Sequence, residues 1–268
     1  MLRIGAWFAT LLAVVFSAGP FVWQLLTSLR PENELTRLGW PHALSLDSYR
    51  RVFEGQPLGR VMLNSVVVAG ATAALCLAAG ALAAFAVAKL PFRGRKVLLV
   101  VALAVSMFPP IATVSPLYLV VRWLGLRDEP AGLVLAYTTF GLPFALWVLT
   151  GFFRELPDEL YDAARVDGCT PLQALRWIFL PLALPGLATT GILVFIFAYN
   201  EFLYALTFTS SPEKRTIPVA MSLLSSSHEQ PWGEMAAFSV VAVLPILALA
   251  LFFQRHIVSG LTRGAIKG

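Results

Sequence analysis

The stretch ELPDELYDAARVDGCTPLQALRWIFLPLALPG, Glu155 to Gly186, lies between two long apolar segments and organises the rest of the chain. Pro157, Asp158 and Glu159 open a helix, with two acids placed at the positive end of its dipole. Leu156, Leu160 and Ala164 fall four apart and share a face, and Ala163 and Ala164 allow close approach to the backbone. Gly168 ends the helix as a left-handed cap. Thr170, Pro171 and Gln173 start a second helix with a capping box and a proline at its first position. Leu172, Leu175, Ile178 and Phe179 give that helix an apolar stripe. Leu180-Pro181 and Pro185-Gly186 end it. The spacing predicts two short helices meeting at a glycine elbow on a membrane face.

Working outward, composition makes the surroundings a membrane. The 268 residues are 58% hydrophobic and 13% charged, with mean hydropathy +0.75. A soluble domain carries about 25% charged residues. The net charge of +5 is not arranged on a basic helix interleaved with aromatics, so nucleic acid is not an expected partner. Positive charge holding cytoplasmic loops inside accounts for it. Cys76 in an apolar span and Cys169 in the elbow are too far apart in this topology to pair.

Six spans are expected, in an all-α integral membrane protein. The first, within residues 1–30, is apolar and broken at Gly19-Pro20. It resembles a signal peptide in its first half, but its apolar run continues past any cleavage site, which predicts a retained helix. Residues 31–60 read as an extracytoplasmic loop with a short amphipathic helix. Residues 61–254 read as a five-helix core that includes the loop 155–181, and 255–268 as a cytoplasmic tail. The second span, Leu63 to Ala88, carries two rows of small residues, Gly70/Ala74/Ala78 and Gly80/Ala84/Ala88, which predict close helix packing. The third, Val97 to Val121, is interrupted by Pro109, Pro110 and Pro116, either as a pore-side bend or as a packing kink. Prolines free carbonyls that protein or a wet cavity must then satisfy. The fourth, fifth and sixth spans are expected at Ala131–Phe153, Pro181–Phe208 and Met235–Phe253. The loop KLPFRGRK, Lys89 to Lys96, belongs in the cytoplasm, and the elbow and both termini with it. With 11 of the 20 basic residues on that side, the dense second loop decides the orientation rather than the total.

Glu201 is the one ionisable side chain well inside an expected span, in AYNEFLYALTF. Such an acid is by default functional and faces the bundle interior. It could bind solute, carry a proton or hold helices together. Tyr199, Asn200 and Tyr204 surround it, and aromatic and amide side chains suit a sugar. Asn64 is polar at a membrane edge, as a cap or as a pore-lining group. No phosphate-cradling G-x-x-x-x-G-K-[ST] loop and no H-E-x-x-H motif is present, and His42, His228 and His256 are too scattered for a metal site. The chain therefore reads as a non-enzyme with no cofactor or metal of its own.

The run DAA-x-x-DG followed at a fixed gap by Ile and LP resembles the "EAA" loop of the permeases of binding-protein-dependent ABC importers (the MetI-like family). Asp162, Ala163, Ala164, Asp167, Gly168, Ile178, Leu180 and Pro181 carry the match, with Asp162 in place of glutamate. The segment around Tyr199–Glu201 and the GLT-x-GA-x-KG tail resemble the carbohydrate-uptake branch, and most closely its maltose- and trehalose-type permeases. The resemblance implies the importer permease fold with cytoplasmic coupling helices, in a bacterial or archaeal cytoplasmic membrane. It implies a second homologous permease, a dimer of ATPase subunits that bind ATP and Mg, and an extracytoplasmic solute-binding protein as partners, beside the sugar and membrane lipid. It places the ATPase contact on the elbow and leaves Asn64, Tyr199, Asn200, Glu201 and Tyr204 as candidates for the solute path. A permease for a non-sugar solute and a proton- or sodium-coupled secondary transporter using Glu201 are the alternatives.

Overall fold

The computed structural model describes residues 2–35, 39–224 and 231–265. Helix α1, Leu2–Ser28, runs unbroken through Gly19 and Pro20, so the expected break is absent. In lipid nothing competes for backbone groups, and a helix is retained across a proline that would end it in water. Beyond it α2, Asp47–Gly55, is the expected amphipathic helix of the polar loop. Tyr49 shares a 2.8 Å hydrogen bond with Ser28, and Arg51 pairs with Glu234 at 2.8 Å. These ties fasten α2 to the first helix and to the start of the last.

Helix α3, Leu58–Lys89, runs for 32 residues. Its two small-residue rows have different fates. A Cβ on Gly80 would sit 3.1 Å from that of Ala145, and Ala84 is buried beside it. The row Gly70/Ala74/Ala78 instead lies at the surface, with Ala74 and Ala78 exposed.

The third span is interrupted at Pro109-Pro110, where its prolines predict a bend, but as a full break between two helices. Helix α4, Arg95–Ser106, and α5, Pro110–Trp123, meet at a 99° bend. The expected fourth span is α6, Pro130–Glu155, continuous through Pro143. Then comes α7, Glu159–Val166. Helix α8, Pro171–Ala174, passes through a π-helical turn, Leu175–Phe179, into α9, Leu180–Leu182. An 81° bend leads into α10, Leu184–Tyr199. The fifth span also stops short of expectation: α10 ends at Tyr199, and a separate α11, Leu203–Phe208, follows. After α12, Ile217–Ser222, the last helix α13, Trp232–Ala265, continues well past the expected boundary near Phe253. The side chains expected to form the basic tail, and residues 225–230 with His228, lie outside the described residues. Among the described residues four helices are long and apolar enough to cross a membrane, and up to six spans result if each bent pair counts as one.

Two apolar clusters hold the bundle. One gathers Tyr137, Tyr204, Phe208 and Phe238. The other lies at the elbow end, where Phe85 meets Phe179 at 5.1 Å, Tyr161 at 5.9 Å and Phe153 at 6.0 Å between ring centroids. Edge-on aromatic pairs of this kind add about 0.5–1.5 kcal/mol each beyond area burial. Cys76 and Cys169 are both free.

Candidate coupling site

The elbow is built as its sequence demands. Gly168 adopts φ +82°. Its N–H donates to Arg165 O at 3.1 Å and that of Cys169 to Ala164 O at 2.9 Å, the paired bonds of a Schellman cap. Thr170 N–H donates to Gln173 Oε1 at 2.8 Å and Gln173 N–H returns to Thr170 Oγ1 at 3.3 Å, closing the capping box.

Asp158 does not cap α7. Its carboxylate instead accepts from Lys89, at the end of α3, at 2.5 Å, and Lys89 also donates to Leu156 O at 2.6 Å. The hydrogen bond and charge of Lys89 hold the Asp158 carboxyl below the usual aspartate range. The elbow is thereby latched to the second span through a cation that sequence reading assigned to the basic loop. Only the pairing across the fold could have shown this.

The motif residues divide between two faces. Ala164 is 2% exposed and packs into the cluster of Phe85, Phe153 and Phe179. Asp162, Ala163, Asp167, Gly168 and Pro181 are exposed, and Leu180 and Ile178 are half-buried. The expectation that both alanines admit a docking partner is therefore corrected: Ala164 is taken by the chain's own core, and Ala163 alone faces out. Leu172 is likewise off the buried stripe, at 63% exposed, and Val166, which sequence reading passed over, is 88% exposed. Val166 lies four residues after Asp162, so helical spacing alone could have placed it on the outward ridge.

The second candidate group is brought together only in part. Glu201 is half-buried in the break between α10 and α11 rather than inside a helix. Its carboxylate accepts from Tyr204 N at 3.1 Å and Ala205 N at 3.3 Å, capping α11. The buried Tyr204 hydroxyl donates to Pro110 O at 3.1 Å and shares a 2.6 Å bond with Thr113. It thus ties α11 to the first turn of α5, where the third span breaks. Tyr199 points away and donates to Ala242 O at 2.8 Å, while exposed Asn200 bonds its own helix at Ile196 O, 2.8 Å away. Asn64 neither caps a helix nor faces free space. It donates to Glu213 O at 2.7 Å and Arg215 O at 3.0 Å, tying α3 to the segment after α11. Tyr137, unnoticed in the sequence, buries a hydroxyl without a well-formed hydrogen bond within electrostatic reach of Glu201.

A cavity of about 500 Å³ opens at the α4–α5 break, lined by Phe108, Phe140, Phe144, Trp147 and Phe197 with Ser106. None of the five candidate solute-path residues lines it.

Known proteins resemble this chain over most of its length. Residues 76–263 match the family described as binding-protein-dependent transport system inner membrane component. The trehalose transport system permease protein SugB of Mycobacterium tuberculosis is 43% identical over 260 residues, covering 96% of this chain and 95% of that one. The sulfoquinovosyl glycerol transport system permease protein SmoH of Agrobacterium fabrum is 41% identical, over 93% of this chain and 88% of its own. The trehalose/maltose transport system permease protein MalG of Thermococcus litoralis is 37% identical, over 100% and 96%. A crystal structure of a bacterial ABC transporter involved in the import of the polysaccharide alginate has the same fold, at TM-score 0.79 and 22% identity, covering 94% of this chain and 96% of that one. With its family match over residues 76–263 and relatives up to 43% identical over nearly their whole length, the chain belongs to the inner-membrane permease components of binding-protein-dependent ABC transport systems.

Proposed function

We propose that this chain is one of two different permease halves of an importer that carries a sugar, a disaccharide such as trehalose or maltose or an oligosaccharide, across the cytoplasmic membrane. The exposed ridge Asp162, Ala163, Val166 and Asp167 on a helix latched to the spans by Lys89 carries the reading. A ridge so held passes a push from a docked partner into α3 through the Lys89 latch. A separate ATPase dimer binding ATP and Mg docks there and drives the cycle. A solute-binding protein delivers the sugar on the opposite side, and the elbow and both termini lie in the cytoplasm. The retained first helix is an addition to the five-span core and packs along its last helix, α13. The sugar class rests on the names of relatives similar over nearly their whole length. The aromatic cavity at the α4–α5 break agrees with it, since aromatic faces suit the apolar faces of sugar rings.

The test is uptake of labelled trehalose and maltose by vesicles holding both permeases and the ATPase, with binding protein added. Uptake should require internal ATP and the binding protein and survive a protonophore. ATP-independent, protonophore-sensitive uptake would overturn the reading and restore the secondary-transporter alternative.

A further inference from the structure

A groove of about 430 Å³ runs between α3 and the elbow, lined by Leu77, Ala78, Leu82, Leu175, Leu180 and Leu187 among others. Its one charged liner is Arg176. The guanidinium lies 5.1 Å from the centre of the Trp177 ring, and both residues sit on the π-helical turn Leu175–Phe179. Among the described residues no carboxylate is in salt-bridge reach of Arg176. Trp177 is 68% exposed, as an indole at a membrane–water boundary is.

The dimensions fit one occupant. Leu82 and Leu77 precede Lys89, the end of α3, by seven and twelve residues. At about 1.5 Å per residue they lie about 10 and 18 Å from that end, which is roughly the depth of one leaflet. An aliphatic trough of leaflet depth with an unneutralised guanidinium at its mouth matches an acyl chain joined to an anionic headgroup. A guanidinium binds a phosphodiester through paired N–H donors, and an ammonium-bearing zwitterionic headgroup opposes the same cation.

We infer that this groove holds one anionic phospholipid, its chain along Leu77–Leu82 and its phosphate on Arg176. The inference rests on the proposed function only for the leaflet, which is then the cytoplasmic one. The lipid would sit against the π turn that joins the elbow to α10, so its presence stiffens the path between them.

The test uses the full-length chain, purified, stripped of lipid in detergent and titrated in native mass spectrometry. The probes are phosphatidylglycerol and phosphatidylcholine with identical acyl chains. Wild type should retain one phosphatidylglycerol with about fivefold preference, the weight of one cation near an anionic headgroup. Arg176→Gln should abolish the preference, and Arg95→Gln, an exposed cation away from the groove, should keep it. Ala78→Trp fills the trough from an exposed position and should lower retention of both lipids. Equal retention of the two lipids by wild type, an equal loss in Arg95→Gln, or unchanged binding in Ala78→Trp would each overturn the site. So would cross-linking of Ala78→Cys to the second permease in the assembled complex, because the groove is then a subunit interface. No sugar, ATP or ATPase enters the titration. A failed titration therefore leaves the importer reading standing, and failed uptake leaves the lipid site standing.

Discussion

Lys89 Nζ lies 2.5 Å from Asp158 Oδ1, with the lysine side chain 1% exposed and the aspartate side chain 84% exposed. The pair is lopsided, so its two halves are not equivalent under mutation. Asp158→Asn leaves the buried ammonium without its counter-charge, with Leu156 O and the asparagine amide oxygen as neutral acceptors. Lys89→Met removes the buried charge and returns Asp158 to water. We expect Asp158→Asn to lower the thermal midpoint of the purified chain by several degrees and Lys89→Met by less, because an unpaired buried charge is the costlier residue to leave behind. Equal losses in the two variants would contradict a buried ammonium.

The same pair sets a pH dependence. The Asp158 pKa is depressed below its ordinary 3.8 by Lys89. A depressed acid contributes stability that is complete above its unfolded value and is lost as pH falls through the folded one. Wild type should therefore lose thermal midpoint relative to Asp158→Asn as pH drops below about 4, and the two curves should run parallel from there to neutrality. A difference that opens instead between pH 6 and 8 would assign the effect to another group.

Gly168, at φ +82°, is the elbow's pivot. A side chain in this left-handed region costs about 1–2 kcal/mol, and a β-branched one strains it most. Nothing lies within 4 Å of a Cβ built there, so the penalty is conformational and not a clash. Gly168→Val should cut sugar-stimulated ATPase activity in the reconstituted complex several-fold while basal hydrolysis persists. Gly168→Asn, which tolerates this conformation, should retain most of the stimulation. Normal stimulation in Gly168→Val would remove the elbow from the coupling path.

The elbow was legible in the sequence because each of its devices is local. The capping box spans Thr170 to Gln173, and the left-handed cap needs only Gly168. The prolines near Pro109 signalled a bend but not its sharpness, and the break near Glu201 had no signal. Hydropathy runs across both without interruption, and the third span is held open by Tyr204 reaching Pro110 O across 94 positions. Ala164 turns inward with Leu156 and Leu160, the face that their four-residue spacing marks, but Phe85 and Phe153, which it packs among, lie outside the loop. Glu201 was rightly singled out as a polar anomaly. Its place in a helix break, with backbone N–H groups as partners, follows from where α10 stops.

Two tyrosines on facing elements should respond in opposite directions. The Tyr204 hydroxyl bridges Thr113 and Pro110 O, whereas the Tyr137 hydroxyl is buried without a well-formed bond. Tyr204→Phe should destabilise by about 0.5–1.5 kcal/mol, since it removes the hydrogen bonds to Thr113 and Pro110 O. Tyr137→Phe removes an unsatisfied polar atom and should be neutral or slightly stabilising. Thermal unfolding of the two variants in one detergent decides this. A larger loss in Tyr137→Phe would mean that its hydroxyl serves Glu201.

We expect Glu201 to act through its oxygens rather than its charge. Both carboxylate oxygens accept backbone N–H groups at the start of α11, from Tyr204 and Ala205. A glutamine in its place keeps one acceptor oxygen and the shape, whereas alanine removes the cap, a loss of about 0.5–2 kcal/mol at a helix start. Glu201→Gln should therefore lower uptake modestly and leave it dependent on ATP, and Glu201→Ala should lower uptake and the thermal midpoint together. A carboxylate that carried protons would behave otherwise, because the amide cannot release one at any working pH. Glu201→Gln would then abolish concentrative uptake, and a protonophore would collapse wild-type uptake in vesicles supplied with ATP. Measuring both variants with and without protonophore separates the roles. Retained, ATP-dependent uptake in Glu201→Gln assigns Glu201 to holding the break between α10 and α11, where it positions Tyr204 against Pro110.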